Sequence, residues 1–122
     1  MDFDEENAFR AKLSQFTGST EFYWHSSQTL RYTEGVKYLA ERARLHWFID
    51  LIASWQSRVL RDPWLAEFQL WELHVKDNRA SAVCLRDSED EAFRQNLGYT
   101  DSAVHYVRFY LQDHVLMLPS EH

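Results

Sequence analysis

The stretch Phe68-Gln-Leu-Trp-Glu-Leu-His-Val-Lys76 decides the fold, because its side chains alternate with a period of two. Every second residue from Trp71 to Val75 is apolar, and the residues between them, from Glu72 to Lys76, are polar or charged. Such alternation is typical of a β-strand that buries one of its faces.

The same period continues to about residue 119, and short turns interrupt it. Further strands are predicted over residues 80–86, 93–98, 106–111 and 115–118, with turns at 77–79, 87–91 and 112–114. Neighbouring parallel strands need a crossover connection of a dozen or more residues. Strands joined by these short turns should therefore pair antiparallel. Residues 67–119 are therefore predicted to form an antiparallel β-meander of about four to five strands.

In the first half of the chain, about residues 5–66, the apolar residues recur at helical spacing instead. A short amphipathic helix is predicted from Asn7 to Phe16, and Thr33 is typical of the N-cap of a second helix. The most apolar helix is expected from about Leu45 to Leu60, at the centre of the core. Asp62 followed by Pro63 indicates that this long helix ends before them and that one further helical turn begins at Pro63.

Residues 21–32 favour extended chain, with a turn at Ser26-Ser27-Gln28. The expected fold class is α+β, a single domain over residues 1–122. Its N-terminal helices should pack on one face of the C-terminal sheet.

Composition excludes several classes of protein. The 122 residues include 13 Lys+Arg and 19 Asp+Glu, a net charge of −6, which disfavours a general nucleic-acid binder. Residues 30–61 nevertheless hold an excess of positive side chains, which predicts a mildly basic helical face. Its members are Arg42, Arg44, Arg58 and Arg61. Such a face could meet an anion, but solvated helix surfaces are commonly charged without a partner.

The lone cysteine, Cys84, cannot form an intrachain disulfide and lies mid-strand, where cysteine behaves as a small hydrophobic residue. The acidic start Met1–Glu6 lacks the features of a signal peptide. No apolar run approaches the ~20 residues of a membrane span. A cytoplasmic protein without membrane association is expected.

No catalytic, cofactor or metal site is predicted. The three glycines are too far apart for a phosphate-binding loop, and the six histidines lack zinc-like spacing. His46, Asp50 and Ser54 form a polar stripe at helical spacing, but Ser54 lies too far along the helix for His46 to bridge a triad. A simple His46–Asp50 contact is expected there.

The strand around residue 108 is the best candidate for a functional surface. Val107 and Phe109 should face the helices, and the opposite face should then carry a polar and aromatic set. This candidate interface is Tyr106, Arg108, Tyr110, Glu72 and His74. Tyr and Arg are enriched at interface hot spots. The alternative is a solvated sheet face whose tyrosines serve cross-strand packing.

Four stretches resemble a family of small bacterial proteins that is classed only as a domain of unknown function. They are Leu30–Glu41, Trp47–Gln56, Phe68–Leu73 and Val115–Glu121. The resemblance spans nearly the whole chain, and its members occur in bacterial genomes and mobile elements. It implies no activity, cofactor or site residue.

Three hypotheses follow. The first is a non-catalytic interaction protein that self-associates or binds another protein, through the sheet face or residues 21–32. A mobile-element accessory factor is a narrower form of it. The second is a small enzyme or binder of anionic small molecules, with His25, His46 or His74 and an arginine in an aromatic-lined pocket. The third, ranked last, is nucleic-acid binding through the basic helical face.

Overall fold

The computed structural model describes residues 3–17, 21–100 and 104–122. In these residues it holds four α-helices, seven β-strands and one 3-10 helix. They are α1 (Phe3–Leu13), β1 (Phe22–Trp24), β2 (Arg31–Thr33), α2 (Glu34–Ala43), α3 (His46–Val59), α4 (Pro63–Glu67), β3 (Phe68–Lys76), β4 (Arg79–Asp87), β5 (Asp90–Tyr99), β6 (Tyr106–Gln112), β7 (Val115–Met117) and the 3-10 helix Pro119–Glu121. This is a mixed α+β fold.

The sheet is larger than the predicted four to five strands, and it is not a simple meander. The order of the described strands is β1-β2-β7-β6-β3-β4-β5. β3, β4 and β5 do form a meander, but β6 returns to the other side of β3, and β2 pairs with β7 in parallel. β1 and β2 lie in the half that was predicted to be helical, where residues 21–32 were correctly expected to be extended.

Two tight turns fix the register of the hairpins β3–β4 and β6–β7. Asp77-Asn78 joins β3 to β4, and Asp113-His114 joins β6 to β7, as the sequence predicts. All four residues have positive φ, between 53° and 63°, which is the conformation of the type I′ turns that favour hairpins. Asp and Asn tolerate this left-handed region better than most residues.

α2 and α4 begin at the caps that the sequence predicts, whereas α1 begins earlier than predicted. The Thr33 hydroxyl accepts the Val36 N–H, and the Asp62 carboxylate accepts the Trp64 N–H at 2.9 Å. α1 spans Phe3–Leu13 instead of residues 7–16. Three acidic residues in its first turn favour this earlier start.

The sheet has two distinct faces. Each α-helix contributes side chains to one large apolar cluster, which packs on the helix face of the sheet through Trp71, Phe109 and Leu116. Strand registers place another set on the opposite side, here called the open face. Its members include Phe22, Trp24, Arg31, Phe68, Leu70, Glu72, His74, Val83, Leu85, Tyr106, Arg108, Tyr110 and Met117.

None of the helices in the described residues is long and apolar enough to cross a membrane.

Candidate functional site: the open face of the sheet

A hydrogen-bonded network on β3 and β6 joins four of the five predicted interface residues. Arg108 pairs with Glu72 in the β3–β6 register, and Tyr106 pairs with His74. Glu72 Oε2 accepts hydrogen bonds from Arg108 Nη2 at 2.6 Å, Arg108 Nε at 3.1 Å and the Tyr106 hydroxyl at 2.6 Å. The other carboxylate oxygen lies 3.0 Å from His74 Nε2. Tyr110 lies on the same face, opposite Leu70.

The network favours the charged forms of Glu72 and Arg108. Burial alone would raise the pKa of Glu72, but the hydrogen bonds from Tyr106, Arg108 and His74 outweigh burial and leave that pKa below its ordinary value. Burial and the bond to Glu72 raise the pKa of Tyr106. Burial opposes the charge of Arg108, yet its bonds to Glu72 and Tyr106 raise its pKa. The carboxylate is thus ionised, and both of its oxygens are occupied.

An apolar cluster adjoins this network. Leu70, Val83 and Leu85 are buried on the open face, and the rings of Phe68 and Tyr110 pack against them. Every described member of this cluster comes from a strand, whereas the larger cluster holds side chains from all four α-helices. The open face therefore has an apolar centre whose described apolar members all lie on strands.

Alternation counted from Trp71 does not predict this apolar cluster, because it assigns the apolar side of β3 to the helices. Leu70 breaks that pattern, and it is the signal that could have revealed apolar character on both faces. His122 was also missed. Its ring contacts Phe68 and Tyr110, with centroids 5.6 and 5.0 Å away.

A second aromatic group lies at the end of the open face, on β1 and β2. Phe22 and Trp24 are 44% and 62% exposed. The guanidinium of Arg31 lies 5.3 Å from the centroid of the Phe22 ring and 5.5 Å from that of Trp24. These distances are in the range of cation–π contacts.

The expected His46–Asp50 contact is wrong. Asp50 Oδ1 instead lies 2.6 Å from Nε2 of His25, a residue of the β1–β2 loop. His25 Nδ1 accepts the Ser27 backbone N–H and lies 2.7 Å from Ser27 Oγ. Because Nδ1 is already an acceptor for that backbone N–H, the Ser27–His25–Asp50 arrangement orders the loop instead of activating a serine.

Two clefts lie away from the open face's centre. One of about 310 Å³ brings together His25 and His46 with the rings of Trp24 and Tyr32, but no arginine is among the described residues that line it. His74, the third histidine of the small-molecule hypothesis, lies on the open face. A larger groove of about 540 Å³ separates α1 from β6. Its lining includes Phe9, Leu13, Leu39, Val107, Arg10 and Arg108.

The four arginines of the predicted basic helical face do not form one patch. Arg42 and Arg44 lie just before α3, whereas Arg58 and Arg61 lie at its C-terminal end. At 1.5 Å per residue, the length of α3 separates the two pairs by about 20 Å. Arg58 also lies 5.0 Å from the ring of Trp55.

Cys84 is fully buried in the large apolar cluster, and desolvation raises the pKa of its thiol to about 12. A thiol in this state does not act as a nucleophile near neutral pH. No group of three or more metal-ligating side chains occurs in the described part of the chain.

Comparison with known proteins gives a family but no activity. No curated protein and no solved structure matches the chain. The model of a family of unknown function, DUF6876, matches residues 7–122. Because this match covers nearly all of the 122 residues, the chain belongs to this family of unknown function.

Proposed function

We propose that the protein is a non-catalytic interaction module that binds another protein chain through the open face of its sheet. The observation that carries the proposal is the apolar cluster of Leu70, Val83 and Leu85 on the open face, to which the described helices contribute no hydrophobic member. A protein partner that covers Phe68 and Tyr110 would extend this cluster and gain hydrophobic free energy.

The adjoining polar network supports the same proposal. Arg108 and Tyr106 are held in place by Glu72 before any partner arrives, so ordering them costs little free energy on binding. Arg and Tyr are residue types that dominate interface energetics. The network thus gives the apolar centre a polar margin with fixed geometry.

The chemistry of the face also favours binding over catalysis. Both oxygens of the Glu72 carboxylate are engaged by donors, so this carboxylate is a poor general base. The Tyr106 hydroxyl donates to Glu72 and accepts from Arg108 Nε at 3.0 Å. These groups are committed to one another instead of to a substrate.

A second candidate function is the binding of a small anion with an apolar body. The groove between α1 and β6 supports it, because Phe9, Leu13 and Val107 line its interior and Arg10 lies on its lining. Its volume of about 540 Å³ suits a small ligand. A thermal shift with aliphatic carboxylates that is lost in Arg10→Ala would support this candidate.

Site-specific photo-cross-linking tests the proposed interaction function. The variant Tyr110→p-benzoylphenylalanine places the probe on the open face, and the matched control places it at Glu41, an exposed residue of α2. We expect a covalent adduct from position 110 in the native host and none from position 41. The mass of the adduct distinguishes a second copy from a different protein. Absence of any adduct at position 110, or the same adduct from both positions, contradicts the proposal.

A further inference from the structure

We propose that two copies of this chain join through β1, in antiparallel pairing around a two-fold axis at Tyr23. This inference goes beyond the proposed function, because the edge of β1 is a different surface from the apolar cluster of the open face. It names a specific edge, a register and an occupant.

The backbone of β1 presents free pairing positions. The His25 N–H donates to the Leu30 carbonyl, which makes His25 and Leu30 a hydrogen-bonded pair. Since such pairs alternate along antiparallel strands, Tyr23 also directs its backbone groups toward β2. Phe22 and Trp24 therefore direct theirs away from β2. β1 is the last of the described strands on this side of the sheet, so these groups face no strand of the described chain.

The side chains at this edge have the character of an interface. Phe22 and Trp24 are two of the four exposed large hydrophobic residues in the described part of the chain. The guanidinium of Arg31 lies against both rings and holds them on one face. Exposed aromatic residues beside an arginine are typical of the centres of protein interfaces.

A two-fold axis at Tyr23 makes the edge complementary to itself. Phe22 of one copy then lies opposite Trp24 of the other, and each such pair exchanges two backbone hydrogen bonds, which gives four bonds across the junction. The two rings of each pair lie on the same face, within the usual cross-strand distance.

The opposite edge of the sheet carries bulges and charged side chains that hinder such pairing, and β1 carries neither of these. β5 is a ten-residue strand with register shifts against β4, and its exposed residues include the charged pair Glu91 and Arg94. Bulges and charges are common protection for edge strands. β1 consists of three aromatic residues. Because it is so short, the junction is small, and we expect a reversible dimer in place of a permanent one.

Sedimentation velocity over a series of concentrations, from low micromolar to millimolar, tests the inference. The wild-type mass should rise with concentration from 14.6 kDa toward twice that value. Trp24→Lys places two charges in the junction, and Phe22→Pro removes an N–H that β2 does not use. Both variants should weaken association at least tenfold. Trp64→Lys is the matched control, because Trp64 is 73% exposed but lies on α4, and it should associate like the wild type.

The possible results separate this inference from the proposed function. A wild-type chain that stays at the monomer mass, or edge variants that associate as the wild type does, overturns the β1 junction. If position 110 still gives a specific adduct under either result, the open face remains an interface and only the β1 inference fails. Circular dichroism spectra of both edge variants should match the wild type, since neither substitution removes a β1–β2 hydrogen bond.

Discussion

Gly35 lies directly against the carboxylate of Glu121. A β-carbon at Gly35 would stand 2.6 Å from Glu121 Oε1 and 2.7 Å from Leu118 Cδ1. The carboxylate is held in place, because Oε1 accepts the Thr33 hydroxyl at 2.6 Å and the Leu118 N–H at 3.0 Å. The absence of a side chain at Gly35 therefore lets the C-terminal segment close over the first turn of α2.

Gly35→Ala should lower the free energy of unfolding by about 1 kcal/mol. Overpacking of a filled site costs about 2 kcal/mol, and the gain of alanine in helix propensity offsets about 1 kcal/mol of this cost. Urea denaturation measures the change. Gly98→Ala is the control, because nothing lies within 4 Å of a β-carbon there, and it should not lower stability. Equal stability of Gly35→Ala and the wild type contradicts the prediction.

The Glu72 network predicts a specific dependence of stability on pH. The pKa of Glu72 is lower in the folded protein than its ordinary value, because the bonds from Tyr106, Arg108 and His74 outweigh burial. Its contribution to stability is therefore complete above the unfolded pKa of about 4.3 and is lost as the pH falls through the folded value.

The comparison variant is Glu72→Gln, which cannot titrate. Its deficit in unfolding free energy relative to the wild type should be largest near neutral pH and should shrink as the pH falls below about 5. Urea denaturation at several pH values measures this difference. Glu91→Gln is the control, because the Glu91–Arg94 pair is nearly half-exposed, and such pairs contribute little. A Glu72→Gln deficit that is constant with pH contradicts the prediction.

Alternation of polar and apolar residues predicted the long strands and assigned Arg108 and Tyr110 to the correct face. It could not predict which strands are neighbours. The Glu72–Arg108 pair joins residues 36 positions apart, so it depends on β6 returning to β3, and no local pattern encodes this. β1 and β2 have three residues each, which is too short for alternation to establish a sheet of seven strands.

Burial of Cys84 predicts a thiol without reactivity in the folded protein. Cys84 is fully buried between β3 and β5, and desolvation raises its pKa to about 12. A thiol reagent such as 5,5′-dithiobis-(2-nitrobenzoate) should react fully in urea and negligibly in buffer near neutral pH. The denatured sample is the internal control, and rapid labelling of the folded chain contradicts the burial of this residue.

The alternation on β3 reverses at Gln69 and Leu70, where the polar residue faces the helices. Gln69 is 2% exposed and Gln56 of α3 is 1% exposed. Their amides donate to each other at 2.9 and 3.0 Å, and the Trp71 indole N–H also donates to Gln69 Oε1 at 2.8 Å. A sequence pattern assigns a glutamine such as Gln69 to the surface. It cannot show that the hydrogen-bond partner of a buried amide lies on another element, here α3.

This amide pair predicts strong coupling between two substitutions. Gln56→Leu leaves the Gln69 amide without its partner, and Gln69→Leu leaves both the Gln56 amide and the Trp71 N–H without theirs. Each unsatisfied buried group costs about 1–3 kcal/mol. The double variant removes both amides, so its loss of unfolding free energy should be clearly smaller than the sum of the two single losses.

Urea denaturation of the four proteins in this cycle measures the coupling. Gln95→Leu is a matched control, because Gln95 accepts a hydrogen bond from the indole N–H of Trp55 in a position that is only partly buried. Water can replace the Gln95 amide there. The control substitution should cost less than either buried substitution. If the two single losses add up to the double loss, the amides act independently and the reciprocal bonds do not hold α3 on β3.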